Sequence, residues 1–341
     1  MINYQGAAQL MKTDENNRPL KDAEFVVLDA EGKQVGSTIR SNEAGEVLAT
    51  NLAPGDYVFK EIHAPKGYLI NTTEVPFTIA KSTKDGKQTV RLDEPLVNYQ
   101  GSAKLVKTDE SGKVLSNAIF ELQTSEGKVL SKDLKTNAEG EIVVEHLAPG
   151  QYQFVETKAP TGYIVNTAPV PFAIRDKAKG QPKVVTASEK VINYQGKVVL
   201  TKVDAENAGK HLANAEFQLL DRYHNILHKN LQTDDEGKLT VTKLAPGTYF
   251  FKETKAPIGY QRSEKLVEFT IAATYRGKPT QVDVVVKNEA IPNQPNRPGR
   301  PNTPGQGYYP KTGEDKGMTL IIIGIIVLLI IIGITYIRRK K

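Results

Sequence analysis

The sequence predicts an all-β protein built from three tandem sandwich modules, and three observations predict it. Asn-Tyr-Gln-Gly recurs at 3–6, 98–101 and 193–196, a period of 95 residues. That period is too long for a solenoid repeat and fits serial globular modules. Leu-Ala-Pro-Gly at 52–55, 147–150 and 244–247 and Ala-Pro-x-Gly-Tyr at 64–68, 159–163 and 256–260 accompany it through all three repeats. Inside each repeat, short runs rich in β-branched and aromatic residues are separated by Gly- and Asx-containing turns every 8–12 residues or so, and no stretch carries a long helical period.

The elements follow in order. The modules are expected over 4–98, 99–193 and 194–290. In the first, residues 25–28, 57–61 and 75–79 read as strands, while Glu31-Gly32, Asn42-Glu43-Ala44-Gly45 and Asp85-Gly86 read as turns. Residues 291–308 are dominated by Pro and Gly and show no hydrophobic periodicity, so they read as a disordered, extended linker of polyproline character rather than a domain. Residues 317–337 carry no charge and are mostly Ile, Leu and Val between 320 and 334. As a helix they reach about 31 Å, enough for a bilayer core, and a transmembrane helix is expected over 318–337. The basic tail Arg338, Arg339, Lys340 and Lys341 is expected to stay cytoplasmic.

Composition narrows the function classes. The net charge of +6 is held by that basic tail and by the segment from 291 onward, which leaves residues 1–290 neutral. No basic stripe recommends nucleic-acid binding. There are no cysteines, so neither disulfides nor Cys-ligated zinc can hold the modules. No cofactor is expected.

Three polar residues recur where strands should bury apolar ones. Lys12, Lys107 and Lys202 lie in the runs QLMKTD, KLVKTD and VLTKVD, on the same strand face as Leu10, Leu105 and Leu200. Glu61, Glu156 and Glu253 follow Tyr57/Phe59, Tyr152/Phe154 and Tyr249/Phe251, so each carboxylate shares a face with two aromatics. Asn98, Asn193 and Asn288 close the modules after apolar residues. The Lys-to-Asn separation is 86 residues in every module, although the third gains two residues before Phe217 and loses two after Glu253.

With its KTD/KVD strand, its YxFxExxAPxGY box and its closing Asn, each module resembles the B-type repeat domains of collagen adhesins, also called SpaA-type pilin domains. The resemblance covers about 290 residues and implies a transthyretin-like or reverse immunoglobulin-like sandwich. It also implies that Lys and Asn form a spontaneous amide assisted by Glu. Carried onto this chain, the bonds are Lys12–Asn98, Lys107–Asn193 and Lys202–Asn288, with Glu61, Glu156 and Glu253 relaying protons. The chain is then no enzyme beyond this single intramolecular turnover. The chemistry fits the residue types: burial lowers a lysine pKa and raises a glutamate pKa, giving a neutral nucleophile beside a protonated acid. The alternative is a buried Lys–Glu ion pair with Asn as a hydrogen-bond partner, holding the strands in register.

Tyr309-Pro310-Lys311-Thr312-Gly313, directly before the apolar span, resembles the LPXTG sorting signal of Gram-positive wall proteins, with Tyr at the first position. It implies that a sortase cleaves between Thr312 and Gly313 and joins the Thr312 carbonyl to a peptidoglycan amine. The chain would touch the membrane only before sorting and would end secreted, on the cell wall. A single-pass anchor with a chance pentapeptide is the alternative.

Other candidates are weaker. His224 and His228 are four apart but fall at a hairpin turn, so no metal site is expected. Asp234-Asp235-Glu236-Gly237 aligns with Asn137-Ala138-Glu139-Gly140 and reads as a turn rather than a calcium loop, and Ser125-Glu126-Gly127-Lys128 reads as a turn rather than a nucleophile motif. The functional expectation is a stalk that presents an adhesive region at its N-terminal end. The alternatives are modules that themselves bind a host or matrix protein, or a pilus subunit, although the lysine motif of pilin polymerisation is not found. Met1-Ile2-Asn3 matches the tail of a module's last strand, and residues 5–21 are polar with no secretory signal. The expectation is an upstream module with a Lys 86 residues before Asn3 and a Glu about 37 before it, and a signal peptide further upstream.

Overall fold

The computed structural model describes residues 5–81, 89–279 and 281–292. The residues below belong to one compact unit, Met1–Ile291. No described residue is helical.

In the first module the strands are β1 (Gly6–Asp14), β2 (Glu24–Asp29), β3 (Gln34–Arg40), β4 (Glu46–Leu52), β5 (Gly55–His63), β6 (Ile70–Asn71), β7 (Val75–Ile79), β8 (Thr89–Arg91) and β9 (Leu96–Asn98). The second holds β10 (Gly101–Asp109), β11 (Ile119–Thr124), β12 (Val129–Lys135), β13 (Glu141–Leu147), β14 (Gly150–Lys158), β15 (Val165–Asn166), β16 (Val170–Ile174), β17 (Lys177–Ala178) and β18 (Val185–Asn193). The third holds β19 (Gly196–Asp204), β20 (Glu216–Asp221), β21 (Ile226–Gln232), β22 (Lys238–Leu244), β23 (Gly247–Lys255), β24 (Val267–Ile271), β25 (Thr274–Tyr275) and β26 (Val282–Asn288).

Each module is a two-sheet sandwich. One sheet sets the opening strand between its antiparallel partner and the closing strand: β4-β1-β8 with β9 also on β1, β13-β10-β18, and β22-β19-β26. The other sheet is β3-β2-β5-β7, β12-β11-β14-β16, and β21-β20-β23-β24. The opening and closing strands run parallel, which puts the two ends of a module side by side. One face of each sheet is wet, so burial alternates along the strand, as in Gly101–Asp109. The cores are separate clusters, each built from β-branched, leucine and aromatic side chains of both sheets.

The expected turns appear among the described residues. The Gly45 N–H donates to Asn42 O, with φ at 73°. Gly237 closes the Asp234 turn, and Gly127 closes the Thr124 turn that contains Ser125. His224 takes a left-handed φ of 64° in the hairpin between β20 and β21, where its N–H donates to Asp221 O. Its ring stands edge-on to Phe250 at 4.9 Å.

Adjacent modules are joined by strand pairing as well as by the chain. β6 of the first pairs in parallel with β17 of the second, and β15 of the second with β25 of the third. Leu69 and Ile164, each directly after the Ala-Pro-x-Gly-Tyr motif, leave their own module and pack into the core of the next, both 3% exposed. The corresponding residue of the third module is an exposed Gln261. The Asp85-Gly86 turn, Met1-Ile2-Asn3, the linker from residue 293, the sorting motif and the apolar span lie outside the described residues.

Candidate functional site

In each module the opening strand continues two residues beyond its lysine, to Asp14, Asp109 or Asp204. Lys12 therefore extends the inward row Ala8, Leu10, Lys12, and all three are fully buried. The backbone at that point is clamped from both sides. The Lys12 N–H donates to Gly45 O at 2.7 Å, and Lys12 O accepts from Leu20 N–H at 2.9 Å. Gly140 with Leu115 and Gly237 with Leu212 repeat the clamp at Lys107 and Lys202. A Cβ on Gly140 would lie 2.6 Å from Lys107 O, so only glycine admits this approach.

The closing strand brings the asparagine. Asn98 pairs with Asp14 while Lys12 pairs with Leu96, so lysine and asparagine are diagonal neighbours on one sheet face. Asn193 and Asn288 hold the same register. The glutamate arrives from the facing sheet: Glu61 on β5 lies opposite Phe25, Glu156 opposite Phe120 and Glu253 opposite Phe217. Lys, Glu and Asn are at most 3% exposed in all three modules, beneath aromatic layers such as Phe59 and Phe77, whose rings are 4.7 Å apart.

The hydrogen bonds repeat with little change. Asn98 Nδ2 donates to Glu61 Oε2 at 2.8 Å and to Leu69 O at 2.6 Å. Asn193 Nδ2 donates to Glu156 Oε2 at 2.8 Å and to Ile164 O at 2.9 Å. Asn288 Nδ2 donates to Glu253 Oε2 at 3.0 Å and to Gln261 O. A backbone N–H completes each carboxylate: Asn71 to Glu61 at 2.6 Å, Asn166 to Glu156 at 2.7 Å and Ser263 to Glu253 at 2.7 Å. The lysine Nζ faces carbonyls. Lys107 Nζ donates to Val191 O at 2.7 Å and Thr108 O at 3.2 Å, Lys202 Nζ to Val286 O at 3.2 Å, and Lys12 Nζ to Leu96 O.

The lysine contacts backbone carbonyls, and the glutamate contacts the asparagine and a backbone N–H. Among the described residues no site lysine comes within 4.0 Å of its glutamate oxygens as a salt bridge. Burial pushes Lys107 and Lys202 down to about 8, and Lys12 in the same direction, against a smaller upward pull from the glutamate. Burial pushes Glu61 and Glu156 up, against the opposing pull of the lysine and the N–H donors. Glu Oε1 and Asn Oδ1 are buried without a hydrogen-bond partner in every module. At Glu61 and Glu156 an ionised carboxylate would leave charge on that orphan oxygen, in keeping with their raised pKa. A neutral Lys107 amine places its two N–H groups on Val191 O and Thr108 O and keeps its lone pair free for attack.

Three groups escaped the reading of single residues: the clamping glycines, the residue whose carbonyl holds the asparagine (Leu69, Ile164, Gln261), and the donor two positions later (Asn71, Asn166, Ser263). The repeated motif carried a signal for them, since Ala-Pro-x-Gly-Tyr is followed by Leu-Ile-Asn, Ile-Val-Asn and Gln-Arg-Ser.

The chain matches the SpaA family of prealbumin-like fold domains at residues 6–94, 101–190 and 196–289. Colossin-A of Dictyostelium discoideum is 25% identical over 281 residues, which cover 73% of this chain and 2% of that protein. Among solved structures, the Bacillus anthracis TIE protein is 27% identical with a TM-score of 0.45, covering 84% of this chain and 51% of that one. The full-length major pilin SpaD from Corynebacterium diphtheriae is 15% identical with a TM-score of 0.36, covering 85% of this chain and 98% of that one. The chain thus spans about half of TIE and a small fraction of Colossin-A.

Proposed function

This chain belongs to the SpaA prealbumin-like domain family in three tandem copies, and on that premise we propose that it is a stalk of the Gram-positive cell surface whose modules are each closed by a Lys–Asn amide bond. One observation carries the reading: three times over, a buried lysine, a buried asparagine and a buried glutamate share one cage. The asparagine nitrogen that must leave is the atom the glutamate holds.

The reaction balances within the module. The neutral Lys Nζ attacks Asn Cγ, the Cγ–Nδ2 bond breaks, and a new Nζ–Cγ amide forms. One amine proton is lost and one is delivered to Nδ2, which departs as ammonia. The protonated glutamate gives its proton to Nδ2 and takes the one the amine loses, and so ends unchanged. Fixed positioning supplies much of the driving advantage, because nucleophile, acid and amide are held by the clamped strand, the facing sheet and the parallel closing strand.

The sorting motif supports the location. Tyr309-Pro310-Lys311-Thr312-Gly313, an apolar span and a basic tail stand in the order that sortase attachment requires, so the stalk is joined to peptidoglycan through Thr312 after passage through the membrane. The Pro-rich segment 291–308 then serves as the wall-spanning spacer. A pilus subunit remains the second reading, because pilins share the family's domains. The test is a cell fractionation with Thr312→Ala. Release of the variant into the medium supports wall attachment at this residue, and a variant still wall-bound after boiling in detergent contradicts it.

A further inference from the structure

The three sites differ in what the neighbouring module lays against them, and the second is covered by a tyrosine of the third. Tyr275, on β25, is 8% exposed and belongs to the third module's core. Its hydroxyl crosses the boundary and donates to Ile192 O at 2.7 Å, the carbonyl directly before Asn193. Its ring stands edge-on to Tyr194, directly after Asn193, with centroids 5.5 Å apart and planes at 80°. Burial at this boundary raises the Tyr275 pKa, so the hydroxyl stays a donor. Asn193 is therefore flanked on both chain sides, at Ile192 O and at the Tyr194 ring, by one residue of another module. The boundary strands fix that residue: Tyr275 pairs with Asn166, whose N–H donates to Glu156.

The first boundary has the same strand pairing without the tyrosine. β17 lies on β6 as β25 lies on β15, and Ala178 stands opposite Asn71 where Tyr275 stands opposite Asn166. The first site is thus flanked by a methyl group. Among the described residues the third has no following module.

We propose that Tyr275 of the third module is a positioning residue for amide formation in the second, aiming Asn193 at Lys107 through Ile192 O and the Tyr194 ring on either side of it, so that the second bond forms efficiently only once the third module has folded and docked. The proposal rests on the cross-linking reading above. It makes the order of closure a property of the stalk, because a second module without its neighbour lacks part of its own site. The groups facing Glu156 and Tyr275 across this boundary are Lys107, Tyr194 and Glu110, with Asp109 acting on Lys107.

The test follows the full chain, made by cell-free translation in detergent. Peptide mass spectrometry reads ammonia loss at Lys12–Asn98, Lys107–Asn193 and Lys202–Asn288 over time. Tyr275→Phe keeps the ring in the third core and against Tyr194 and removes only the hydroxyl. It should slow closure of the second module about tenfold, the effect of losing one hydrogen bond, while the first and third close at the wild-type pace. The pH limits of second-module closure should stay where they are in the wild type, because positioning scales the rate without altering the acid or the amine. Equal rates in wild type and Tyr275→Phe overturn the proposal and leave the cross-linking reading intact. So does a slowed rate accompanied by shifted pH limits, which marks water entry through a loosened boundary. A wild-type chain that loses no ammonia in any module overturns both. Tyr275→Ala serves as a second variant: its second module should close more slowly still, and closure at the wild-type rate would again overturn the proposal.

Discussion

Asn98 lies two residues along the closing strand from Leu96, the residue opposite Lys12, on a strand parallel to the one carrying that lysine. This relation joins the first and last strands of the module at their inner faces. A bond there bypasses nearly everything between: tension entering along β1 passes from Lys12 to Asn98 and leaves, and residues 13–97 carry none of it.

The first prediction is mechanical. Without the bond a 95-residue module could extend to roughly 320 Å. With it, force–extension traces should show no long unfolding step from any of the three modules below backbone rupture. Lys107→Ala should introduce one such step. Three long steps from the wild-type chain would contradict the force path.

The second concerns stability. A link closing an 86-residue loop acts like a long-loop disulfide, worth about 4–5 kcal/mol in the chain-entropy account. Glu156→Ala should leave Lys107 and Asn193 unlinked, retain one ammonia in the mass, and lower the unfolding temperature of the second module most. Calorimetry against mass spectrometry on the same sample checks both. A linked Glu156→Ala chain would remove the glutamate from the reaction.

The third concerns pH. The reactive pair carries one proton, on the carboxyl and not on the amine. Raising pH past the Lys107 value of about 8 removes that proton from the pair, and closure slows as the acid is lost. Lowering pH below the raised Glu156 value protonates both groups, and closure slows as the nucleophile is lost. The rate of ammonia release should therefore be bell-shaped, with its alkaline limb near 8 and its acid limb above the ordinary glutamate range. A rate that climbs steadily through pH 10 would show that the carboxyl proton is not needed.

The fourth concerns the boundaries. Ile164 is buried in the next module's core, whereas Gln261 at the corresponding place is exposed. Ile164→Ala should cost about 2–5 kcal/mol and uncouple the unfolding of the second and third modules. Gln261→Ala should change stability by no more than about 0.5 kcal/mol. Equal effects of the two substitutions would show that the side chain at this place does not set docking.

Sequence made the sandwich class and the three buried triads legible for a physical reason. Lys12 stands at a period-two position shared with Leu10, and Glu61 follows Tyr57 and Phe59 at the same period, so the face of each polar residue could be read from its neighbours. The boundaries were not legible in the same way. Leu69 and Ile164 look like ordinary core residues of their own modules, and no periodicity tells which core an apolar side chain enters. Tyr275 was hidden for a second reason: it has Ala178 as its counterpart, so comparing repeats marks it as variable and not as part of a site. The clamping glycines were read as turn residues, and their contact with the lysine backbone spans some thirty residues of chain that no local pattern connects.

The most direct test of the account is the intact mass of the folded, aged full chain, with fragmentation of its cross-linked peptides. The account predicts a mass below that of the sequence by three ammonia molecules, with branched peptides joining Lys12 to Asn98, Lys107 to Asn193 and Lys202 to Asn288. A folded chain at its full sequence mass would contradict it.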